Sequence, residues 1–434
     1  MEILLSSLYI IVASLIIRKV RFFSVDGIPR TVFIGLFLVK ILSAFALTMI
    51  YTYYYTDRIT ADIFKYFDDA KILYSAARYH TGDYFRMVTG IDADAAQLKE
   101  YFMKCSYWYK KFDHLLYNDN RTIIRFNALV MLFSGGLFFV HNVFMSFLSL
   151  IGLTAIYKIF VDFYPHKKHE LIVAVFLLPS VLLWTSGALK EGLVVCAFGL
   201  FFFSLWNLIH KHYNWYYVVW FIVSFYILTI AKYYVVACAL PGVLFLIGKR
   251  FLPELRNITI LLLVILLCSA CLILGALLGG PFDVINTLSL KQNDFVRFAM
   301  SLQNVGSLID TNLLQPSVVD FLKHSPQALV NSLFRPFPWE VHNFMALIPA
   351  LENIALEILL VWAFVSYLKK KHHVVSRLLG FSFLFVVGLN LLNGLIVPVT
   401  GALVRYKVPA MPFLFASLVC VCDFSFLRRR KNIE

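Results

Sequence analysis

The chain has 434 residues, of which 60% are hydrophobic and 15% charged, and its formal net charge is +14. A soluble domain is about 45–50% apolar and about 25% charged, so this composition excludes an ordinary soluble enzyme and indicates a polytopic membrane protein. A cationic surplus can serve nucleic acid or anionic lipid, but in a membrane chain it first reports which loops are cytoplasmic; no nucleic-acid partner is expected.

Apolar runs in chain order predict an all-α transmembrane helix bundle of about eleven spans, at 2–17, 31–53, 137–161, 170–185, 189–209, 214–230, 233–248, 257–279, 344–367, 376–395 and 407–426. A short helix at 122–134, broken at Gly135–Gly136, precedes the third. Basic clusters set the orientation: RKVRFF (18–23) with Arg30, HKKH (166–169), HKH (210–212), KRFLPELR (249–256), KKKHH (369–373) with Arg377, and RRRK (428–431). All six fall on one side if the N-terminus is outside and the C-terminus cytoplasmic. No cleavable signal peptide is expected, because basic residues follow the apolar stretch 3–17 instead of preceding it.

Residues 1–434 then form a single transmembrane domain with two long non-cytoplasmic loops, 54–126 and 280–343. Both carry apolar residues at helical spacing, such as Phe295, Phe298, Leu302 and Val305. Such helices lie in the membrane interface or roof a cavity.

The first loop opens with TADIFKYFDDAKILYSAARYHTGDYFRM (60–87). Ile72, Leu73, Ala76 and Ala77 share one face of an amphipathic helix, with Asp68 and Asp69 expected in its first turn. There they either complement the helix dipole or offer a carboxylate base at the membrane surface. The stretch LLPSVLLWTSGALKEGLVVC (177–196) sets Lys190 and Glu191 at an outer turn between spans four and five. Glu191 there also suits a helix N-terminus. The second loop ends in SPQALVNSLFRPFPWE (325–340), where Arg335 sits among aromatics and prolines that bar a regular helix. It is a candidate phosphate clamp or an interfacial anchor. AKYY (231–234) adds Lys232, and GALVRYKVPAMP (401–412) adds Arg405, Tyr406 and Lys407. Singly, each of these reads as a snorkelling side chain. Together, cations on the outer face run against the positive-inside trend, and an anionic substrate from the outer leaflet would explain them.

The seven cysteines form no paired CxxC set and no His-rich ligand set accompanies them, so no structural metal is expected; no cofactor is expected either. His141, Cys268 and Cys271 read as packing residues within spans. The sequons NRT (120–122) and NIT (257–259) are short enough to arise by chance.

FDDAKILYSAARY, HTGDYF and RYKVPAMP together resemble the GT-C superfamily of integral-membrane glycosyltransferases, which take sugars from polyprenyl-phosphate carriers. Those enzymes carry an acidic pair in a first non-cytoplasmic loop and an arginine–tyrosine motif with prolines at a late span. This chain departs in having an extra span before that loop and Asp-Asp where many members have Asp-Glu. The resemblance implies Asp68 as general base with Asp69 as its neighbour, or the reverse; Glu191, in a stretch that is not a general motif of the family, is a further carboxylate candidate. For the transfer that the resemblance implies, cations near the leaving phosphate would stabilise its growing charge, and the candidates are Arg405, Lys190, Arg335 and Lys232, with Tyr406. The resemblance further implies an inverting, metal-independent transfer from a polyprenyl-phosphate-linked sugar to a glycan or lipid acceptor among membrane lipids, in cell-envelope polysaccharide synthesis. Two other readings stand beside it: a polysaccharide polymerase or ligase of the O-antigen type, and a lipid or glycan transporter or flippase. The first fits the late loop at 280–343; the second predicts midplane charges and internal repeats.

Overall fold

The computed structural model describes residues 1–55, 57–59, 61–93, 95–109, 118–210, 214–301, 307–309, 311–369 and 376–424. Leu302, Val305, residues 211–212 of HKH, 370–373 of KKKHH, and RRRK lie outside the described residues. The described regular structure is helical: α1 (Glu2–Lys19), α2 (Arg30–Met49), α3 (Asp62–Tyr79), α4 (Thr81–Thr89), α5 (Lys99–Lys104), α6 (Asn120–Ser134), α7 (Phe138–Phe163), α8 (Lys168–Phe176), α9 (Pro179–Trp184), α10 (Lys190–His210), α11 (Trp215–Phe251), α12 (Asn257–Leu278), α13 (Val284–Ser301), α14 (Val318–Phe334), α15 (Phe344–Lys369), α16 (Arg377–Ile396), α17 (Thr400–Tyr406) and α18 (Met411–Val421). Isolated backbone bridges join Val25 to Ile28 and Leu308 to Val399.

Among the described residues, seven helices are long and apolar enough to cross a bilayer: α2 with its π-turn Ile50–Tyr54, α7, α10, α11, α12, α15 and α16. An eighth is reached if α17 and α18, bent by 69°, count as one. The chain is an integral membrane protein. The other predicted spans take different forms. α1 carries Glu2, Arg18 and Lys19 at its ends and falls outside that set. Residues 170–185 break into α8 and α9, because Pro179 cannot continue a preceding helix. The predicted spans 214–230 and 233–248 fall, but for residue 214, within the 37-residue α11. At about 1.5 Å per residue that helix would run to about 55 Å, against a hydrocarbon core of about 30 Å. Its backbone leaves helical geometry at Lys232, with φ −155° and ψ 79°.

The chain forms two compact units. The first comprises Met1–Lys158, Val181–Leu205 and Tyr213–Tyr233. In it α3 buries Tyr66, Phe67, Ala70 and Leu73 in one core with Ile123, Ile124, Ala128 and Met131 of α6. Tyr84 of α4 donates to the Ala128 carbonyl at 2.9 Å. Trp108 stacks flat on Phe102 at 4.1 Å. α6 ends where predicted, at Gly135 and Gly136, both in the left-handed region (φ 59° and 82°) that favours glycine. His141 is buried with its ring nitrogens 2.9 Å from Ser134 Oγ and 2.8 Å from Asn127 Oδ1, consistent with a packing residue.

α7 and α10 cross where Gly152 meets the backbone of Val195 and Cys196, and Gly199 meets that of Gly152. A side chain at either glycine would strike main chain, which cannot move aside as a side chain can. Small residues let membrane helices approach this closely. Gly152→Val is expected to destabilise the protein by at least the roughly 1–3 kcal/mol of core overpacking. Thermal melting of the detergent-purified protein checks this, and an unchanged melting curve would refute the close crossing.

The second unit comprises Ile159–Ser180, Trp206–His212 and Tyr234–Glu434. α14 packs closely on α16: Gly394 meets the backbone of Ala328, and Ser332 Oγ donates to Asn390 Oδ1 at 2.9 Å. Lys167, just before α8, donates to the carbonyls of Val419, Cys420 and Cys422 at 2.5–2.9 Å. It thereby caps the carbonyl end of α18.

Candidate functional site

The helix carrying the acidic pair begins at Asp62. The expectation that Asp68 and Asp69 occupy its first turn is therefore corrected: the apolar Ile63, Phe64 and Phe67 are already helical and buried, so the helix starts two turns earlier. Dipole complementation falls to Asp62. Successive residues on a helix point about 100° apart, and the two acids meet different surroundings.

Asp68 faces outward. Arg58 grips it with both arms of the guanidinium, Nε to Oδ2 at 2.9 Å and Nη2 to Oδ1 at 2.7 Å. The two side chains are 39% and 51% exposed. The guanidinium carbon of Arg58 lies 4.3 Å from the centre of the Phe64 ring, one turn before Asp68 on α3. Arg58 belongs to a short turn in which Asp57 Oδ1 accepts from the Ile59 N–H at 3.1 Å and Tyr107 Oη donates to the Ile59 carbonyl at 2.6 Å.

Asp69 faces inward and is 3% exposed. Its two oxygens accept from the backbone N–H groups of Ser106 and Tyr107 at 2.9 and 2.8 Å, fastening the segment after α5 to α3. Burial raises its pKa above the ordinary carboxylate value. The negative charge of Asp68 adds to the rise, while the two N–H groups and Lys65 oppose it. Cys105 beside it has a thiol pushed up to about 12, mainly by burial, so it stays protonated. An acid with a raised native pKa holds more proton in the native than in the unfolded state between the two values. Stability therefore falls as pH rises from the ordinary carboxylate pKa through the raised one. Melting curves across that acidic window are expected to show this slope. Asp69→Asn is expected to flatten it and, by spoiling one of the two N–H contacts, to destabilise by about 1–3 kcal/mol. A slope that survives the substitution would assign the titration to another group.

The WTSGALKE turn is buried throughout from Thr185 to Glu191. α10 starts at Lys190, so Glu191 does sit in a helical first turn. Thr185 Oγ1 accepts from Lys40 at 2.6 Å. Asn142 Oδ1 takes the Ala188 N–H at 2.9 Å, and Gly187 packs on Leu47. Lys190 donates to Asp119 Oδ2 at 2.8 Å and Asn120 Oδ1 at 2.9 Å, and lies over the Tyr66 ring. Tyr66 Oη also donates to Asn120, at 3.1 Å. The sequon asparagine is thus a buried structural residue. Glu191, fully buried, accepts from Lys232 at 3.0 Å, and Lys232 is 2% exposed by its side chain. Next to that break, Thr122 Oγ1 donates to the Ile230 carbonyl at 2.6 Å. Two adjacent residues of opposite charge are thus each matched by a partner from another segment.

In the second unit, Arg335 forms an ion pair with Glu340 of its own loop at 3.1 Å, and its guanidinium carbon is 5.7 Å from the Phe337 ring centre. α14 ends at Phe334, as the prolines require. Arg405 and Tyr406 close α17; Arg405 is buried, and Tyr406 packs against Ile309, Val397 and Leu403. Strand-like contacts anchor this element, Ile309 N–H to the Pro398 carbonyl at 2.7 Å and Thr400 N–H to the Ser307 carbonyl at 3.0 Å. Lys407 is fully buried and donates to Asn353 Oδ1 and the Leu333 carbonyl. The neighbouring residue Glu352 accepts from Ser180 N–H and Oγ at 2.7 and 2.6 Å.

Sequence reasoning missed Arg58, Asp119, Asn120 and Glu352. A lone cation directly after a span, in YTDRIT, was the available signal for Arg58. The polar run NDN before an apolar helix was the signal for Asp119 and Asn120. Among the described residues, no three His, Cys, Asp or Glu side chains gather as metal ligands. No protein-family model, no curated protein and no solved structure matches the chain.

Proposed function

We propose that this protein is a membrane glycosyltransferase that moves a sugar from a polyprenyl-phosphate donor to a glycan or lipid acceptor at the non-cytoplasmic face of a bacterial inner membrane. The carrying observation is Asp68: a half-exposed carboxylate with an arginine at its side, on the helix that follows the span α2. Asp69 and Glu191 are less suited to act as base, since each is buried against fixed partners.

In the proposed reaction the acceptor hydroxyl attacks the anomeric carbon as Asp68 takes its proton. The new C–O bond forms as the anomeric carbon–phosphate oxygen bond breaks, and the lipid phosphate leaves with the electron pair. One displacement inverts the anomeric centre. Arg58 is placed to hold that phosphate as its charge grows. Lys190 and Lys232 carry internal carboxylates as partners, which makes them positioning residues on this reading. Arg335, Arg405 and Tyr406 remain phosphate-contact candidates from the sequence motifs.

The proposed topology has eleven spans, N-terminus outside and C-terminus cytoplasmic. It takes α1 as a span, α8 with α9 as one broken span, and α11 as two that meet at Lys232. An Ile59→Cys variant, at an exposed position in the turn after α2, that reacts only with cytoplasmic reagents would invert it.

The test uses purified protein in lipid with polyprenyl-phosphate sugars as donors and a chelator present. Release of lipid phosphate with an inverted glycosidic product is expected. A retained configuration would refute the single displacement. Vectorial movement of an intact lipid-linked glycan, with no bond broken, would instead establish a flippase.

A further inference from the structure

Arg58 and Asp68 present a chemical conflict. A guanidinium that clasps a carboxylate with two parallel hydrogen bonds occupies both oxygens. A base so clasped keeps only the acceptor sites turned away from the guanidinium, and its charge is already matched by a cation. The same fork geometry is what binds a phosphate. The carboxylate of Asp68 and a phosphate therefore compete for one guanidinium.

The competition is close enough to be reversible. Both side chains are roughly half exposed, and exposed ion pairs contribute modestly, a bidentate arginine–carboxylate pair such as this one more than most. A phosphate diester carries as much charge as a carboxylate and as many strong acceptor oxygens, and a monoester carries more of both. The Phe64 face, at 4.3 Å, steadies the guanidinium whichever anion it holds. The backbone ties at Asp57 and Ile59 hold the turn that bears it.

We infer that Arg58 is a phosphate-operated lock on Asp68: at rest it masks the carboxylate, and an arriving lipid phosphate draws the guanidinium away and frees Asp68. This rests on the lipid-phosphate reading above and adds an order to it, donor first and base exposed second. Donor binding would then switch on the base in the same step that fills the site, so water would meet a masked carboxylate in the empty enzyme.

The test is equilibrium binding of farnesyl phosphate to the full-length protein in detergent, with farnesol and inorganic phosphate as separate probes. Arg58→Gln is expected to weaken farnesyl phosphate binding about tenfold or more, as loss of charged hydrogen bonds does. Asp68→Asn removes the competitor and is expected to tighten binding about 1.5- to 5-fold, the range an exposed ion pair implies. The double variant is expected to match Arg58→Gln alone, and Arg58→Lys to fall between that variant and wild type. The same order with inorganic phosphate supports the lock and assigns it to the headgroup; the order with farnesyl phosphate alone supports it with a contribution from the chain. Unchanged binding in Arg58→Gln, or weaker binding in Asp68→Asn, overturns it, provided melting curves match wild type. Arg58→Lys supplies the comparison if Arg58→Gln misfolds. Turnover without this order keeps the transferase and removes the lock; the order without turnover keeps the lock and removes the transferase.

Discussion

Lys232→Met is expected to destabilise the protein by about 3–5 kcal/mol, as loss of one partner of a buried ion pair does. Lys232 and Glu191 are 2% and 0% exposed by side chain and 3.0 Å apart. Without the ammonium, the Glu191 carboxylate keeps its desolvation and loses a charge 3.0 Å away that offsets it. Lys232 also sits where α11 leaves helical geometry, so the substitution leaves the break without the side chain that joins it to the first turn of α10. The double variant Lys232→Met with Glu191→Gln removes both charges and is expected to recover most of the loss, because replacing a whole buried pair with neutral side chains is often close to neutral. Unfolding in a denaturing detergent series measures both. A single variant as stable as wild type would mean that the pair contributes nothing, and a double variant worse than the single would mean that Glu191 is held by other groups.

The contrast with the adjacent residue is instructive. Lys190 pairs with Asp119, whose side chain is 26% exposed. That carboxylate keeps access to water when its partner goes. Two neighbouring residues in one turn thus differ in how much they hold, and the difference comes from their partners' burial.

Much of this architecture was legible in the amino-acid order. The helical class and membrane location follow from several apolar runs long enough to cross a bilayer. The end of α6 follows from two glycines, and the buried run WTSGALKE stood out because charges there need a reason. What was not legible is partnership. Glu191 meets Lys232, 41 positions away, and Lys190 meets Asp119, 71 positions away. Periodicity reports which face of a helix a residue occupies, not what lies opposite. The same limit explains Asp68 and Asp69. As neighbours they read as one acidic pair; 100° of helical rotation gives one to an exposed arginine and the other to buried backbone N–H groups. A misplaced helix start, at the acids instead of at Asp62, came from weighing charge at a helix N-terminus above the apolar residues Ile63, Phe64 and Phe67.

That separation makes the two aspartates a matched experiment. Asp68→Asn is expected to lower kcat about 10²- to 10⁴-fold on the proposed reaction, the usual contribution of a positioned general base. An amide is nearly isosteric with the carboxylate but cannot take the acceptor's proton. Its effect on folding is expected to be small, because the pair it breaks is exposed and such pairs contribute about 0–1 kcal/mol. Asp69→Asn should do the opposite: its partners are backbone groups of a packed segment, so folded yield and melting temperature drop while the surviving folded protein keeps most of its turnover. Measuring turnover per folded molecule, alongside melting temperature, separates the two. If Asp68→Asn turns over at the wild-type rate, the base lies elsewhere, and the exposed carboxylate beside Arg58 is an ordinary surface pair. If both variants lose turnover with melting unchanged, the acids work as a unit despite their different surroundings. A large loss confined to Asp68→Asn, with its lipid-phosphate affinity raised, would place the proton acceptor and the phosphate holder in one ion pair on the first turn and helix after α2.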